Sequence, residues 1–384
     1  MKKLLLVANV AKEHVLKFHV PTIRELSRRG WTVDVACAGD EDIPYCNEQF
    51  RMNWKRNPLS RKTIGGIRQL KRAVDSGDYD IVYCHTPMGG LGARLAAAKA
   101  RKRGTKVIYC VHGFHFFEGA ELINWLIYYP AERLLSLLTD MIITINREDY
   151  ERAGRKFRKG LKLRLIPGMG ADFSRLEVEG KEEIRRAYRK ELDIPEDALV
   201  MLYIAELTQN KNQKMLIEAL TLLRDKDINA YLVLAGPDQE EGWLERYAEA
   251  SGQVDYCRFL GWREDVGELL AMADVYTASS IREGMTINLV EAIYAGLPIV
   301  ATDNRGHRMA AADYGEDCLV KIGDYHKMAE MIEGYMRASD SDGSAVNERT
   351  SDKSGSAANS HISDKYDSER IARVIADILE GEVD

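Results

Sequence analysis

Short apolar segments alternate with helix-like segments along this chain, and the whole series occurs twice. In the first half, apolar runs rich in β-branched residues lie at 3–9, 32–37, 80–84, 106–111 and 140–145. Between them, apolar residues recur at helical spacing over Val20–Arg29, Ile64–Asp75, Leu91–Lys102 and Leu122–Leu138. This alternation is typical of a parallel sheet whose two faces are covered by helices.

The first series ends at Leu165–Gly170, where two glycines and a proline interrupt any regular element. Strand-like runs then return at 199–205, 230–235, 256–260, 273–278 and 297–301. Helical spacing returns at 181–191, 212–224, 241–251, 264–271 and 286–295. A chain of 384 residues also exceeds what one hydrophobic core usually supports. We therefore expect an α/β protein with two doubly wound, Rossmann-like domains over 1–168 and 175–337, with ligands in the cleft beyond the carboxyl ends of their strands.

The remainder of the chain divides into two parts. Residues 338–365 are rich in Ser, Asp and Gly and carry few large apolar side chains, so we expect a flexible segment there. Helical spacing returns in Tyr366–Leu379, which predicts a final helix and tail over 366–384.

Charge is distributed unequally between the two halves. Residues 1–165 carry a net charge of +13 and the remaining residues carry −19, although the whole chain carries only −6. A basic half predicts an anionic partner. Nucleic acid is disfavoured, because no helix-turn-helix, RNP or zinc-knuckle pattern accompanies the charge. An anionic membrane surface is favoured instead.

The sequence predicts a cytoplasmic protein without a membrane-spanning helix. No apolar run reaches 18 residues. The opening apolar run Leu4–Ala8 is too short for a signal peptide, and charge returns at Lys12, so we expect a buried first strand. The six cysteines are scattered without a CxxC pair or another metal-ligand spacing, which predicts a reduced setting, no metal site and no cofactor.

Two glutamates, Glu283 and Glu291, bracket the start of the helical segment 286–295. Unpaired N–H groups and the helix dipole favour an anion at such a helix start. The positions that would line it are Gly284, Thr286, Ile287 and Asn288. Ionised carboxylates only accept hydrogen bonds, so a nucleotide sugar would suit this segment, with its diphosphate at the helix end and its hydroxyls on the two acids. Two acids at this spacing also suit a first-turn dipole partner and a solvated helix face.

The succession Glu283-Gly284, Glu291-Ala292 and Gly296–Ala301 resembles the donor-site motif of retaining glycosyltransferases of family 4. That family has the GT-B fold, in which two Rossmann-like domains face each other across a cleft and a C-terminal helix crosses back to the first domain. The resemblance implies that residues 1–168 bind the acceptor and 175–337 the nucleotide sugar. Outside this segment the resemblance extends over most of the chain, with fewer matching residues. The run His112–Tyr150 is similar to transferases that extend sugars on polyprenyl-diphosphate carriers.

Two further residues would act on the donor. Lys211 follows the strand-like run 199–205, so its flexible ammonium can reach the diphosphate, although it would also suit a solvated helix start. Family members often carry an Arg at the position of Glu206, and its absence leaves Lys211 as the single cation for this role. His112 follows the run 106–111, and the resemblance implies a contact with the donor sugar or its leaving phosphate. A histidine beside a core strand also suits a purely structural role.

Two segments leave alternatives open. The glycines after His85 permit close backbone approach, which suits tight helix packing and acceptor binding equally. Leu122, Trp125, Leu126 and Tyr129 share one helical face, with Pro130 expected to kink or end the helix. That face suits either core packing or a membrane interface.

Together with these features, the resemblance implies a metal-independent, retaining glycosyltransferase on the inner face of a membrane. It would move a hexose or N-acetylhexosamine from a nucleoside-diphosphate sugar, with UDP favoured, to a polyprenyl-diphosphate-linked glycan in capsular or exopolysaccharide synthesis. Its predicted catalytic residues are Glu283, His112 and Lys211. The alternatives are an enzyme like UDP-N-acetylglucosamine 2-epimerase, and a catalytically silent sugar-nucleotide-binding partner of an assembly complex, which Glu206 favours.

Overall fold

The computed structural model describes residues 2–54, 60–341 and 356–383. The chain forms two compact units. Unit 1 comprises Met1–Gly170 together with Ser368–Asp384, and unit 2 comprises Ala171–Asp367. Each unit contains one parallel sheet interleaved with helices, so the prediction of two doubly wound α/β sheets is confirmed.

The sheet of unit 1 has seven strands among the described residues, in the order β3-β2-β1-β4-β5-β6-β7. These strands are β1 (Lys3–Val10), β2 (Thr32–Ala38), β3 (Gln49–Arg51), β4 (Ile81–His85), β5 (Lys106–Val111), β6 (Met141–Thr144) and β7 (Lys162–Leu165). The central strands are apolar along most of their length because both of their faces are covered, and Leu4, Leu5 and Leu6 are fully buried. The strand order reverses between β1 and β4, the position where such sheets bind ligands.

Helices follow most strands of unit 1, and a π-helical turn over Ala11–Leu16 follows β1. The helices are α1 (Val20–Arg28), α2 (Arg61–Gly77), α3 (Pro87–Ala96), α4 (Ala98–Arg101), α5 (Leu122–Leu135) and α6 (Arg147–Lys156). The predicted helix over Leu91–Lys102 is thus divided into α3 and α4. Pro130 lies inside α5 and does not end it, which corrects part of the expectation for this residue.

The sheet of unit 2 has six parallel strands in the described part of the chain, in the order β10-β9-β8-β11-β12-β13. They are β8 (Leu199–Ile204), β9 (Ala230–Ala235), β10 (Cys257–Phe259), β11 (Val275–Ala278), β12 (Ile299–Thr302) and β13 (Leu319–Val320). The order reverses between β8 and β11, so the segments after these two strands emerge side by side.

The helices of unit 2 lie between and after its strands. They are α7 (Lys181–Glu191), α8 (Lys214–Arg224), α9 (Trp243–Ala250), α10 (Val266–Met272), α11 (Ile287–Tyr294), α12 (Arg305–Ala311), α13 (Tyr325–Ser341) and α14 (Ser356–Tyr366).

The last helix, α15 (Ser368–Glu380), belongs to unit 1 and packs on α1. Its residues Ile375 and Leu379 are fully buried. Arg29, directly after α1, donates to Asp377 at 2.6 Å and to Glu380 at 2.9 Å. The expected return of a C-terminal helix to the first sheet is therefore confirmed.

The sequence pattern misses the edge strands β3, β7 and β13. They have three, four and two residues, and each lies at the end of its sheet. Edge strands of this kind are often short and charged, which blunts their pairing with other chains and removes the apolar run that identifies a buried strand. The pattern also misses α6, α12 and α13.

The predicted flexible segment over 338–365 is helical at both of its ends. α13 continues to Ser341 and α14 begins at Ser356, whereas residues 342–355 lie outside the described residues. α14 packs on the core because Ile362 and Tyr366 are buried. Tyr366 Oη also donates to Asp313 at 2.8 Å. Buried apolar side chains and polar contacts with Asp313 thus hold this helix in a polar sequence.

Candidate functional site

Lys211 and Glu283 meet where the strand order of unit 2 reverses. Lys211 follows β8 and Glu283 follows β11, and these two strands are neighbours. Lys211 Nζ donates to Glu283 Oε1 at 2.6 Å, and Ser280 Oγ donates to the same oxygen at 2.7 Å. Only 17% of the Lys211 side chain and 13% of the Glu283 side chain are exposed. The structure therefore brings together two residues that the sequence singled out separately.

The surroundings keep Lys211 positively charged. Burial, the largest single influence, favours its neutral amine, but the Glu283 carboxylate together with Tyr203 and Glu206 outweighs burial and raises the pKa of Lys211 above its ordinary value. Tyr203 Oη lies 2.6 Å from Ser280 Oγ, and burial raises the pKa of Tyr203 to about 12. A neutral pair of hydroxyls therefore supports the ion pair without adding charge.

The loop that carries Lys211 is fixed by its backbone. Thr208 accepts from the Lys211 N–H at 3.2 Å, and Ser279 Oγ donates to the Lys211 carbonyl at 2.8 Å. Gln213 Nε2 donates to the carbonyl of Glu206 at 2.8 Å, while Glu206 itself is exposed. Glu206 thus shapes this loop through its backbone.

The start of α12 fixes the backbone of Glu283. Arg305 Nε donates to the Glu283 carbonyl at 3.1 Å, and a Cβ added to Gly306 would lie 2.5 Å from the Glu283 Cβ. The side chain of Asn304 caps α12 by accepting from the N–H groups of Gly306 and His307. Sequence reasoning missed this contribution, although an Asn two residues after a buried strand is a helix-start signal that could have revealed it.

The N-terminus of α11 lies directly after Glu283 in the chain. Thr286 is the N-cap, yet its side chain makes no cap hydrogen bond, and its hydroxyl is buried without a partner among the described residues. Asn288 is used structurally, because its Nδ2 donates to the Ile204 carbonyl at the end of β8. The first N–H groups of any helix lack intrahelical partners. Gly284, Thr286 and Ile287 therefore line a helix terminus that suits an anion.

Glu291, one turn further along α11, is paired with a cation that the sequence did not reveal. Its side chain is 4% exposed and accepts from Arg175 Nη2. Arg175 lies in the 3-10 turn Ser174–Leu176 and is 45% exposed. A hydroxyl-bearing ligand that binds Glu291 must therefore share or displace Arg175.

His112, the third predicted catalytic residue, belongs to unit 1. It follows β5, and its Nε2 lies 3.2 Å from His85 Nδ1 at the end of β4. Burial, and to a smaller extent the neighbouring His14, lowers the pKa of His112 well below its ordinary value. The imidazole is therefore neutral at pH 7. His112 thus lies among other histidines, an arrangement that sequence reasoning missed.

The predicted apolar face of α5 divides into a packed part and an exposed part. Trp125 and Tyr129 pack against the core of unit 1, whereas Leu122 is 73% and Leu126 64% exposed. Neighbouring apolar side chains on and after α5 are exposed as well: Ile123, Ile127, Leu134 and Leu137. Core packing therefore accounts for one part of this face and leaves the other part exposed.

Basic residues at the end of α6 lie close to α5. The guanidinium of Arg152 lies 5.3 Å from the centroid of the Trp125 ring. Arg158 donates to the carbonyls of Ser136 and Thr139, directly after α5. Arg155 and Lys156 are exposed. Arg158 therefore has a structural role, while its neighbours project positive charge into solvent.

Across residues 2–54, 60–341 and 356–383, none of the helices combines the length and the apolar composition that crossing a bilayer requires.

Comparisons with known proteins point to one family for both units. The family described as glycosyl transferases group 1 matches residues 184–350, and the family described as glycosyl transferase 4-like matches residues 3–146. EpsD of Bacillus subtilis, which is named as a glycosyltransferase, is 44% identical over 332 residues, covering 86% of this chain and 87% of EpsD.

More distant relatives agree with this match. An Escherichia coli enzyme, UDP-Gal:alpha-D-GlcNAc-diphosphoundecaprenol alpha-1,3-galactosyltransferase, is 24% identical over 295 residues, covering 74% of this chain and 73% of the enzyme. Anabaena HepE, solved in complex with UDP and glucose, has the same fold, with a TM-score of 0.78 and 18% identity over 99% of this chain and 100% of HepE.

Proposed function

This chain belongs to the glycosyltransferases of the group 1 and 4-like kind, and we propose that it is a retaining enzyme with a UDP-sugar donor and a lipid-linked acceptor. It transfers a hexose or N-acetylhexosamine to a polyprenyl-diphosphate-linked glycan during synthesis of a cell-surface polysaccharide. Unit 2 binds the donor and unit 1 binds the acceptor.

The observation that carries this proposal is the Lys211–Glu283 pair beside the N-terminus of α11. A diphosphate needs positive charge, and Lys211 together with the first N–H groups of α11 supplies it without a metal ion. Glu283 accepts hydrogen bonds from hydroxyls of the sugar, and Glu291 accepts them from the ribose. Thr286, whose buried hydroxyl has no partner in the described part of the chain, gains one from the phosphate.

The chemistry follows from this placement. The acceptor hydroxyl attacks the anomeric carbon from the face that the diphosphate leaves, as in the resembled retaining enzymes, and the departing diphosphate takes the acceptor proton. Negative charge then develops on the leaving oxygen, where Lys211 and the helix terminus already lie. Such preorganised charge is commonly the largest contribution to catalysis. His112 is the proposed contact to the donor sugar from unit 1.

Two relatives support the choice of donor and acceptor. HepE binds UDP with the same fold. The Escherichia coli relative is named for a UDP-galactose donor and an acceptor on diphosphoundecaprenol. These properties belong to HepE and to the Escherichia coli enzyme, and we extend them to this chain as part of the proposal.

We further propose that unit 1 docks on an anionic membrane through α5 and the end of α6. A lipid-linked acceptor would keep the enzyme at a bilayer surface. The exposed side chains of Leu122, Leu126 and Ile127 would enter the headgroup region, while Arg155 and Lys156 would lie near lipid phosphates. Each basic residue near an anionic surface contributes about 1 kcal/mol.

The test is incubation of the purified protein with a panel of UDP-sugars, with and without a polyprenyl-diphosphate sugar, and mass spectrometry of the products. Sugar transfer only in the presence of the acceptor is the expected result. Conversion of UDP-N-acetylglucosamine without acceptor would identify an epimerase instead. Binding of UDP without turnover of any sugar would identify the catalytically silent partner.

A further inference from the structure

Four histidines converge in unit 1 at the position where its strand order reverses. His14 lies in the π-helical turn after β1, and His19 directly precedes α1. His85 ends β4 and His112 follows β5. Because β1, β4 and β5 are adjacent parallel strands, their carboxyl ends present these four residues at one edge of the sheet.

The side chains are close enough to share one ion. One ring nitrogen of each histidine lies within 4.8 Å of the corresponding nitrogens of the other three. The closest pair, His85 Nδ1 and His112 Nε2, is 3.2 Å apart. A tetrahedral ion with metal–nitrogen distances of about 2.0–2.1 Å requires nitrogens about 3.3 Å apart. The separation of His85 Nδ1 and His112 Nε2 therefore already matches a tetrahedral site, and the widest separation in the cluster would have to shorten by up to about 1.5 Å.

Four buried ring nitrogens of this cluster lack hydrogen-bond partners among the described residues. Both ring nitrogens of His19, the Nε2 of His85 and the Nε2 of His14 are buried without one. His19 and His85 are fully buried, and 8% of His14 is exposed. Native proteins rarely leave several buried polar atoms unpaired in one place. The unpaired nitrogens therefore point to a ligand that the cluster binds.

The chemistry of the cluster selects a cation. Neutral imidazoles present lone pairs, which a metal ion requires, whereas an anion would require protonated rings. Four imidazoles without a carboxylate suit zinc and its neighbours in the first transition series and are poor ligands for Mg²⁺ or Ca²⁺.

We propose that His14, His19, His85 and His112 bind one divalent transition-metal ion, with Zn²⁺ as the ion that this set of four nitrogens fits best. The ion ties the segment after β1 to the ends of β4 and β5 and fixes the ring of His112 through its Nε2. All four ligands lie in unit 1, and one of them, His112, is also the residue that we propose to contact the donor sugar. The proposal does not rest on the proposed transferase activity, since its test measures bound metal.

The test uses the full-length protein, stripped with a chelator and dialysed against Zn²⁺, with bound metal measured by mass spectrometry. Wild type should bind one Zn²⁺ per chain, and His19→Gln and His85→Gln should each weaken binding by at least about 100-fold, because loss of a ligand costs more than loss of an outer-shell partner. His361→Gln is the matched control, since His361 lies in unit 2 with 65% of its side chain exposed. Circular dichroism establishes whether each variant is folded.

X-ray absorption on the loaded wild-type protein tests the ligands without any variant. Nitrogen-only coordination by imidazole is the expected result. A sulfur contribution would assign the metal to cysteine and overturn the proposal. Absence of stoichiometric Zn²⁺ from folded wild type, or equal weakening by His361→Gln and His19→Gln, would overturn it as well and leave the cluster as a hydrated part of the core.

Discussion

Replacing Glu283 by glutamine should separate donor binding from turnover, because Glu283 and the donor diphosphate share the ammonium of Lys211. In the free protein, Lys211 Nζ lies 2.6 Å from Glu283 Oε1. An ammonium in contact with a carboxylate and a phosphate holds these anions about 6 Å apart, and at an effective dielectric of about 40 their repulsion is about 1.4 kcal/mol. Glu283→Gln removes that repulsion, so UDP alone should bind up to about tenfold more tightly.

Turnover should change in the opposite direction. The carboxylate is the stronger acceptor for sugar hydroxyls as charge develops at the anomeric carbon, and loss of one such contact costs about 2–4 kcal/mol, or roughly 30- to 1,000-fold in rate. The fold should survive, because the amide oxygen of glutamine still accepts from Ser280 and Lys211. The loss of stability from weakening these two hydrogen bonds should be about 1–3 kcal/mol.

Titration calorimetry with UDP and an acceptor-dependent transfer assay measure the two effects separately. Lys211→Met keeps the apolar stem and removes the charge, so it should weaken UDP binding by about 10- to 100-fold, the cost of a hydrogen bond to a charged group. Glu264→Gln, at an exposed position, controls for loss of an acidic charge from unit 2.

The reasoning is refuted if folded Glu283→Gln loses UDP affinity to the same extent as Lys211→Met. That result would mean that Glu283 contacts the nucleotide itself and does not compete with it for Lys211. Near-normal turnover of Glu283→Gln would refute the assignment of Glu283 to the sugar.

Four further predictions follow from the two units. Glu291→Gln should raise the Kd for UDP while sparing the rate at saturating donor, whereas an unchanged Kd in calorimetry would remove the ribose assignment. UDP affinity should be the same in excess EDTA as in Mg²⁺, and turnover should need no added Mg²⁺ or Mn²⁺. A strict requirement of turnover for either metal ion would contradict neutralisation of the diphosphate charge by Lys211. Replacing Arg155, Lys156 and Lys159 by glutamine should reduce co-sedimentation with anionic liposomes. The reduction should be most visible at low salt, because salt screening shortens the reach of surface charge. Replacing Lys181, Arg186 and Lys190 of unit 2 by glutamine is the matched triple control, and equal binding of the wild type to neutral and anionic vesicles would contradict docking by charge. Burial lowers the pKa of His307 from its ordinary value of 6.5 to about 4, so the unfolded chain binds more protons within this window, and the contribution of His307 to the free energy of unfolding should fall as the pH drops through it, by up to roughly 3 kcal/mol. His307→Gln should make this dependence less steep in denaturant titrations without abolishing it, because other buried histidines such as His14 also have a lowered pKa. An unchanged slope would show that those other groups cause the dependence.

The local sequence pattern was sufficient to predict the buried strands of both sheets and the segment around Glu283 and the start of α11. The apolar runs of β1, β5 and β8 are visible because strands covered on both faces carry few polar residues. Glu283 and the start of α11 are visible for a related reason, since acids and a helix start are features of adjacent residues. The edge strand β13, with two residues, offers no such signal.

Contacts between distant segments were not predictable in the same way. Arg175 is 116 residues from its partner Glu291 and lies in a short turn, so no periodicity marks it. His14 and His112 come together only because β1, β4 and β5 are adjacent, and that order is a property of the sheet. Metal-ligand spacing in sequence detects ligands on one element, and these four come from separate segments.

The position of α15 in unit 1 also governs the order in which the chain can fold during synthesis. Its apolar side chains Ile371, Ile375 and Leu379 cover a surface of α1 that is complete by residue 28. The 197 residues of unit 2 are made in between, which takes roughly 10 to 40 s at about 5–20 residues per second. Over that interval the nascent first unit keeps an open apolar flank on α1, and we expect truncation near residue 370 to leave that flank exposed and to destabilise the first unit.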